Sequence, residues 1–184
     1  PDFNRNLNKT SETIRAGEPL HIGMDFNVLK MAAVVFVMRG DQPLALSELT
    51  GVRDTPTMCQ LIKERFAGHS ILIYPDAAGQ ATSSKNASES DHAILKAAGF
   101  KIVVNGTNPA VKDRINAVNA QILNSTGHRN LLVNTDTCPD FTEALEQQVY
   151  DKNGLPDKST GHDHILDAGG YFLVKRFPIV RQLA

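Results

Sequence analysis

The order of the apolar segments is the feature that most restricts the fold of this chain. Three segments rich in β-branched residues come first, at Leu20 to Phe26, Lys30 to Met38 and Pro43 to Leu49, and a GDQP turn separates the last two. From Thr55 onward, short apolar segments alternate with amphipathic ones, which gives the order β-β-β-α-β-α-β-α-β-α-α. This order predicts an α/β fold with a mixed sheet, antiparallel on one side, parallel on the other and flanked by helices.

Local signals predict where the helices begin and end. Thr55 followed by Pro56 is typical of an N-cap with proline in the first turn, and Gly68 is a stop signal for that helix. The segment 108–123 predicts an amphipathic helix, because its apolar residues recur at helical spacing: Val111, Ile115, Val118 and Ile122.

The composition is that of a soluble globular protein with one core. The 184 residues are 41% hydrophobic and 21% charged, and the net charge of -1 points to no polyanionic partner while allowing a local basic surface. Cys59 and Cys138 form neither a CxxC pair nor a zinc spacing, which favours a reducing compartment. No apolar segment approaches membrane-spanning length, and no signal peptide is visible.

The first 19 residues differ in composition from the rest of the chain. They are polar and turn-rich, which predicts a linker or a loosely attached arm before a domain at residues 20–184. The chain starts with Pro1 rather than methionine, so we expect a piece of a longer protein.

Acidic residues stand at the edges of three predicted elements. Asp25 interrupts the apolar run HIGMDFNV, where a lone buried carboxylate is costly unless it is paired, hydrogen-bonded or bound to a metal. Asp76 directly follows the strand SILIYP, and Asp163 and Asp167 share one face of the last helix. Because ligands gather at the carboxyl ends of strands in such sheets, this topology is able to bring the acids together.

Converging carboxylates without a basic partner repel one another, and divalent cations remove that repulsion. Oxygen ligands suit Mg²⁺ or Mn²⁺, and two such ions about 4 Å apart activate a water and stabilise the leaving oxygen in phosphodiester cleavage. The acids therefore predict a metal centre. GxxxxGK[ST], GxGxxG, GxSxG and HExxH motifs are absent from the sequence.

Each acid also has a structural interpretation. Backbone donors would satisfy Asp25, Asp76 would form a turn, and Asp163 would be a first-turn residue favoured by the helix dipole. Asp167 would be a solvated helical residue. His162 and His164, which flank Asp163, are open to a supporting role at the site and equally to capping or exposure.

Three motifs together resemble the nuclease domain of the large terminase subunit of tailed, headful-packaging bacteriophages. They are GMDFNV, YPDAAG and HDHILDAGGYF, and the resemblance runs from about Pro19 to Phe177. The last motif is the most specific, with a D-H-x-x-D-A-x-x-Y pattern formed by Asp163, His164, Asp167, Ala168 and Tyr171. Gly170 stands where members of that family often carry arginine, which leaves open whether a basic group supports the site.

The resemblance implies an RNase H-like fold and a metal-dependent endonuclease that cuts concatemeric viral double-stranded DNA at the initiation and termination of genome packaging. Its acidic triad would be Asp25, Asp76 and Asp163, binding two Mg²⁺ or Mn²⁺ ions, with Asp167 as the alternative to Asp163. Residues 1–19 would be the remains of an interdomain linker after an ATPase motor domain.

The resemblance also implies partners and a place in the cell. The expected partners are double-stranded DNA, the ATPase domain of the full-length chain, the portal protein and the small terminase subunit. The expected location is the cytoplasm of the infected bacterial host, at the procapsid portal, with no membrane association. The isolated domain is expected to be monomeric.

Contacts to backbone phosphates would supply most of the affinity for DNA. The candidates lie near predicted loops or helix ends: Lys30, Lys85, Lys112, Arg114 and Lys158. Solvated lysines on exposed faces explain most of these positions equally well. The segment Asp151 to Gly161 predicts a mobile flap beside the site.

Two other functions stay open, namely another RNase H-like nuclease, such as a resolvase or hybrid nuclease, and a non-catalytic docking module.

Overall fold

A computed structural model of the chain describes residues 2–27, 29–77, 90–104, 107–147 and 161–179. The helices and strands of these residues follow the predicted order. They are β1 (Leu20–Asp25), β2 (Met31–Arg39), β3 (Gln42–Val52), α1 (Thr55–Arg65), β4 (Ile71–Pro75), α2 (Asp91–Ala97), β5 (Lys101–Ile102), α3 (Val111–Ile122), β6 (Leu132–Val133), α4 (Pro139–Gln147) and α5 (Asp163–Arg176).

The strands form one mixed sheet in the order β5-β4-β1-β2-β3-β6. Strands β1, β2 and β3 are an antiparallel meander, whereas β4, β5 and β6 each run parallel to the neighbour that they join. The prediction of a mixed sheet is confirmed, but not its arrangement: the antiparallel strands lie in the middle, and parallel strands join them on both sides instead of one. Since β1 and β4 are parallel neighbours, their carboxyl ends lie side by side at one edge of the sheet.

Helices cover both faces of the sheet, and side chains of β2 alternate between the two cores. Val34 and Phe36 pack with residues of α3, α4 and α5, whereas Val35 and Val37 pack with residues of α1 and α2. None of the described helices is both long and apolar enough to span a membrane.

Helix α5 lies directly on β1 because a glycine of the strand leaves room for it. A Cβ atom at Gly23 would stand 1.9 Å from the carbonyl oxygen of Ala168. No side chain fits this gap, so glycine at this position sets how closely the helix approaches the strand. The consequence is that the acids of α5 come close to Asp25, at the end of β1.

The expectation of a loosely attached N-terminal arm is wrong for residues 2–19. Phe3 is buried in the core, and the fully buried Asn8 donates from Nδ2 to the carbonyl oxygens of Ile122 and Leu131, at 3.0 and 2.9 Å. Most polar side chains of the segment are exposed, and its buried polar residue, Asn8, satisfies backbone groups of the domain rather than water. A linker origin of residues 1–19 stays a prediction.

Two helix predictions need correction. The N-cap of α1 is Asp54 rather than Thr55, because Asp54 Oδ1 accepts the amide hydrogen of Thr57 at 2.8 Å. In α3, Val118 and Ile122 are buried, but Val111 is 38% exposed. The first turn of α3 lies beside a cleft instead of the core, and the residue that it buries there is Arg114.

Candidate metal centre

The four acids that the sequence singled out line one cleft at the carboxyl ends of β1 and β4. This acidic cleft has a volume of about 530 Å³, and its lining includes Asp25, Asp76, Asp163 and Asp167. The amide of Asp76 donates to the carbonyl oxygen of Met24 at 3.0 Å, which fixes Asp76 beside the end of β1. Asp163 and Asp167 reach the cleft from α5, the helix that rests on Gly23.

Asp25 is a buried carboxylate at the centre of this group, with 7% of its surface exposed. Its Oδ2 atom lies 3.1 Å from Nδ1 of His164, and the other ring nitrogen of His164 is 3.8 Å from Asp163 Oδ1. Asn27 Nδ2 contacts the same ring. His164 therefore lies between two acids, as a residue that supports the site would.

The pKa of Asp25 reflects its burial and the acids around it. Burial, followed by the neighbouring Asp167 and Asp76 carboxylates, raises this pKa to about 6, although His164 acts in the opposite direction. Such an environment disfavours the ionised form of Asp25 and would favour a bound cation. A cation site therefore accounts for a charged residue in an apolar strand.

Asp76 is held by a residue that sequence reasoning missed. Asn108 donates from Nδ2 to Asp76 Oδ1 at 2.5 Å, and its Oδ1 accepts the amide hydrogen of Ala77 at 2.8 Å. The buried ring of His92 lies 2.7 Å from the carbonyl oxygen of Asp76. The one local signal was the Asn-Pro pair at 108–109, which marks a turn after a strand.

Gly170 left open whether a basic group supports the site. A different helix, α3, supplies that group. Arg114 of α3 donates from Nη2 to Asp167 Oδ1 at 2.6 Å, and its guanidinium carbon lies 4.8 Å from the centre of the Tyr171 ring. Its side chain is only 7% exposed. Arg114, predicted as a DNA contact near a helix end, is therefore a buried, ion-paired residue in the wall of the cleft.

The other predicted DNA contacts are distributed differently. Lys30 and Lys112 are exposed, Lys30 between β1 and β2 and Lys112 in the first turn of α3. Lys85 and Lys158 lie outside the described residues, and so do residues 151–160 of the predicted flap.

The acids share a cleft without forming a ready coordination shell. Within the described residues, no three histidine, cysteine, aspartate or glutamate side chains are grouped closely enough to hold a metal ion as they stand. Protein groups contact them instead, with His164 on Asp25, Asn108 on Asp76 and Arg114 on Asp167. The donor set is nevertheless the one that Mg²⁺ and Mn²⁺ prefer, because it consists of carboxylate oxygens.

Comparison with known families identifies the fold. A family model described as the terminase RNase H-like domain matches residues 22–176. The chain belongs to this family. The RNase H-like fold predicted from the motifs is thus confirmed. A comparison with curated protein sequences gave no match.

Solved large-terminase structures agree with the family assignment. A large terminase from a thermophilic bacteriophage is 18% identical to this chain, with a TM-score of 0.69. The match covers 95% of this chain and 44% of that protein. The nuclease domain of the P22 large terminase is 19% identical, with a TM-score of 0.69, over 95% of this chain and 91% of its own. The large terminase nuclease domain of bacteriophage SPP1, solved with bound Mn, is 16% identical, with a TM-score of 0.55, over 92% of this chain and 96% of its own. The chain thus spans less than half the length of the thermophilic phage protein.

Proposed function

We propose that this domain is the DNA-cutting part of a large terminase. It is a Mg²⁺- or Mn²⁺-dependent endonuclease, a hydrolase that cleaves concatemeric viral double-stranded DNA when headful packaging begins and ends. The observation that carries the proposal is the acidic cleft, in which a buried aspartate with a pKa of about 6 shares one surface with three further acids. The family match and the Mn bound to the SPP1 nuclease domain support the same reading.

The metal ligands are proposed from the positions of the acids. Asp25 and Asp76 would hold the ions together with an acid of α5, either Asp163 or Asp167. Bound divalent ions would supply a water nucleophile and charge stabilisation for the leaving oxygen of a phosphodiester.

The surrounding residues orient these ligands. Asn108 holds the Asp76 carboxylate by one oxygen and is itself fixed by the amide of Ala77. His164 lies beside Asp25 and Asp163, so it restricts the orientation of Asp25 and offsets part of the charge. Misplacing a ligand by an ångström is costly in such sites, so these neighbours support the activity of the acids.

DNA would bind through its backbone over the edge of the sheet that bears the cleft. Lys30 and Lys112 are exposed and are the proposed phosphate contacts among the described residues, with Lys85 and Lys158 as further candidates. We expect affinity to fall steeply with salt and to depend little on sequence. In the full-length protein, an ATPase domain, the portal and the small terminase subunit would time and place the cuts at the procapsid in the infected cell.

Plasmid digestion tests the proposal directly. The wild-type chain is expected to nick and linearise plasmid DNA with Mg²⁺ or Mn²⁺, and to be inactive with EDTA. D25N should lower the cleavage rate about a thousandfold, because it removes the buried carboxylate from the proposed metal ligands. The matched control is E48Q, which changes another buried acid of the same sheet that lies outside the cleft lining.

Other outcomes would select another function. Preferential cutting of four-way junctions or of RNA–DNA hybrids over plasmid DNA would indicate a resolvase or a hybrid nuclease. Metal-independent DNA binding without cleavage, unchanged in D25N, would indicate a docking module.

A further inference from the structure

Arg114 is a buried charged side chain in the wall of the acidic cleft. It leaves α3, contacts the face of Tyr171 on α5 and ends on Asp167 Oδ1 at 2.6 Å. The Arg114 side chain is 7% exposed and that of Asp167 is 27% exposed. A guanidinium so far from water needs a carboxylate partner, and stacking on an aromatic ring leaves it few alternative orientations.

Gly170 makes this path possible. A Cβ atom at position 170 would stand 2.7 Å from Cγ and 2.8 Å from Cδ of Arg114. These atoms are in the middle of the side chain, where it has little freedom to move away. Even alanine at position 170 would therefore displace the Arg114 side chain. Glycine inside a helix costs about 1 kcal/mol relative to alanine, and at this position the space that it leaves is filled by Arg114.

Asp167 lines the same cleft as Asp25 and Asp76. Arg114 holds the Asp167 carboxylate there by one oxygen, at 2.6 Å. Groups that fix a metal-ligating carboxylate by hydrogen bonding in this way set both its direction and its basicity.

We propose that Arg114 is a positioning residue of the metal centre: it passes over Gly170, stacks on Tyr171 and holds Asp167 as a carboxylate ligand facing Asp25 and Asp76. The inference rests on the proposed metal-dependent function, and it assigns Arg114 a role distinct from phosphate binding. Arg114 then acts through Asp167, so its removal matters only as long as Asp167 is present.

The direction in which R114M changes the affinity for Mn²⁺ distinguishes this role from a purely electrostatic one. Mn²⁺ binding to the metal-stripped chain is measured by isothermal titration calorimetry for wild type, R114M, D167N and the double variant. Removing a positive charge beside a cation site would by itself strengthen Mn²⁺ binding. Removing the residue that orients Asp167 is expected to weaken it instead, by about tenfold, which is the lower end for such supporting groups.

The double variant tests whether Arg114 acts through Asp167. We expect D167N to weaken Mn²⁺ binding at least as much as R114M, and R114M/D167N to bind no more weakly than D167N alone. R114K should lie between R114M and wild type, because lysine keeps the charge but neither the planar fork nor the stacking. The control is R176M on the same helix as Asp167, since Arg176 lies 3.9 Å from the fully exposed Asp41.

Gly170 supplies a second, independent variant if R114M folds poorly. G170A is expected to weaken Mn²⁺ binding in the same direction as R114M, whereas adding G170A to an R114A background should change nothing further. Melting of each metal-free variant, followed by circular dichroism, confirms that the folded protein is being titrated.

Two results would overturn the inference, and they differ from a failure of the proposed function. Unchanged or tighter Mn²⁺ binding by R114M, or an additive loss in the double variant, contradicts the positioning role while wild type still binds Mn²⁺ and cuts DNA. A wild-type chain that binds no Mn²⁺ contradicts the metal-dependent function and the inference together.

Discussion

Two buried acids of the same sheet, Glu48 on β3 and Asp25 on β1, have opposite surroundings. Glu48 is 9% exposed, and its carboxylate accepts the amide hydrogens of Asp140 and Phe141, both at 2.9 Å, at the start of α4. Asp25 is 7% exposed, yet its carboxylate contacts a histidine ring, and its charged neighbours include two further acids. The first carboxylate caps a helix, whereas the second adds to a concentration of like charge.

The pKa values of these two acids express the difference. Burial raises the pKa of Glu48, but the two amides of α4 draw it back toward its ordinary value. Burial also raises the pKa of Asp25, and there the Asp167 and Asp76 carboxylates raise it further, to about 6. A buried acid whose carboxylate accepts helix amide hydrogens has a structural role. A buried acid with other acids as neighbours is repelled by them, and a bound cation reduces that repulsion.

Truncating Glu48 is the change expected to cost the most stability. E48A leaves two amides at the start of α4, one of them buried, without their acceptor, so we expect the free energy of unfolding to fall by about 3 kcal/mol. Urea denaturation measures this loss. Metal-dependent cleavage per folded molecule should stay within about twofold of wild type, because Glu48 lies outside the acidic cleft. If folded E48A lost most of its cleavage activity, Glu48 would not have the purely structural role that distinguishes it from Asp25.

Replacing Asp25 is expected to have the opposite effect on the metal-free domain. Between its ordinary pKa of 3.8 and its folded value of about 6, Asp25 keeps a proton in the folded state that it loses in the unfolded state. Stability therefore falls as pH rises through this window, and the cost is fully present above it. D25N lacks this cost, so with EDTA its stability relative to wild type should increase by on the order of 2 kcal/mol between pH 4.5 and pH 7.5.

Magnesium should reverse the stability difference between D25N and wild type. Ions bind the ionised acids, so adding Mg²⁺ is expected to stabilise wild type more at pH 7.5 than at pH 5, and to have little effect on D25N at either pH. Thermal melts in EDTA and in Mg²⁺ at the two pH values measure both effects. An advantage of D25N that did not depend on pH would contradict the account of Asp25.

The smallest predicted effect concerns Asn108. N108A removes the donor that holds Asp76 and the acceptor of the Ala77 amide, so we expect Mg²⁺-dependent cleavage to fall about tenfold. N116A is the matched control, since Asn116 is an exposed asparagine on α3. Equal activity of the two variants would show that Asp76 needs no such support.

The fold was predictable because its signals are local. Segment order and periodicity predicted the mixed sheet, and the rule that ligands gather at strand ends predicted that the acids would meet in one cleft. Local signals failed where a distant contact decides the outcome. Val111 fits the apolar spacing of α3 but lies at the cleft, and the burial of Asn8 depends on carbonyl groups more than 110 residues away in sequence.

The partners of the acids were beyond local reasoning for the same reason. Arg114 was recognisable as a basic residue near a helix end, but its pairing with Asp167 depends on a gap at Gly170 in another helix. The sequence left a basic group at the site open, and among the described residues the packing of α3 against α5 supplies Arg114.

The most direct test of the central claim is anomalous diffraction from crystals soaked in Mn²⁺, because it locates the ion relative to both acids. The account predicts an anomalous peak in the acidic cleft, in contact with Asp25, and no peak at Glu48. Crystals that bind Mn²⁺ elsewhere, with none beside Asp25 at concentrations that support cleavage, would contradict it.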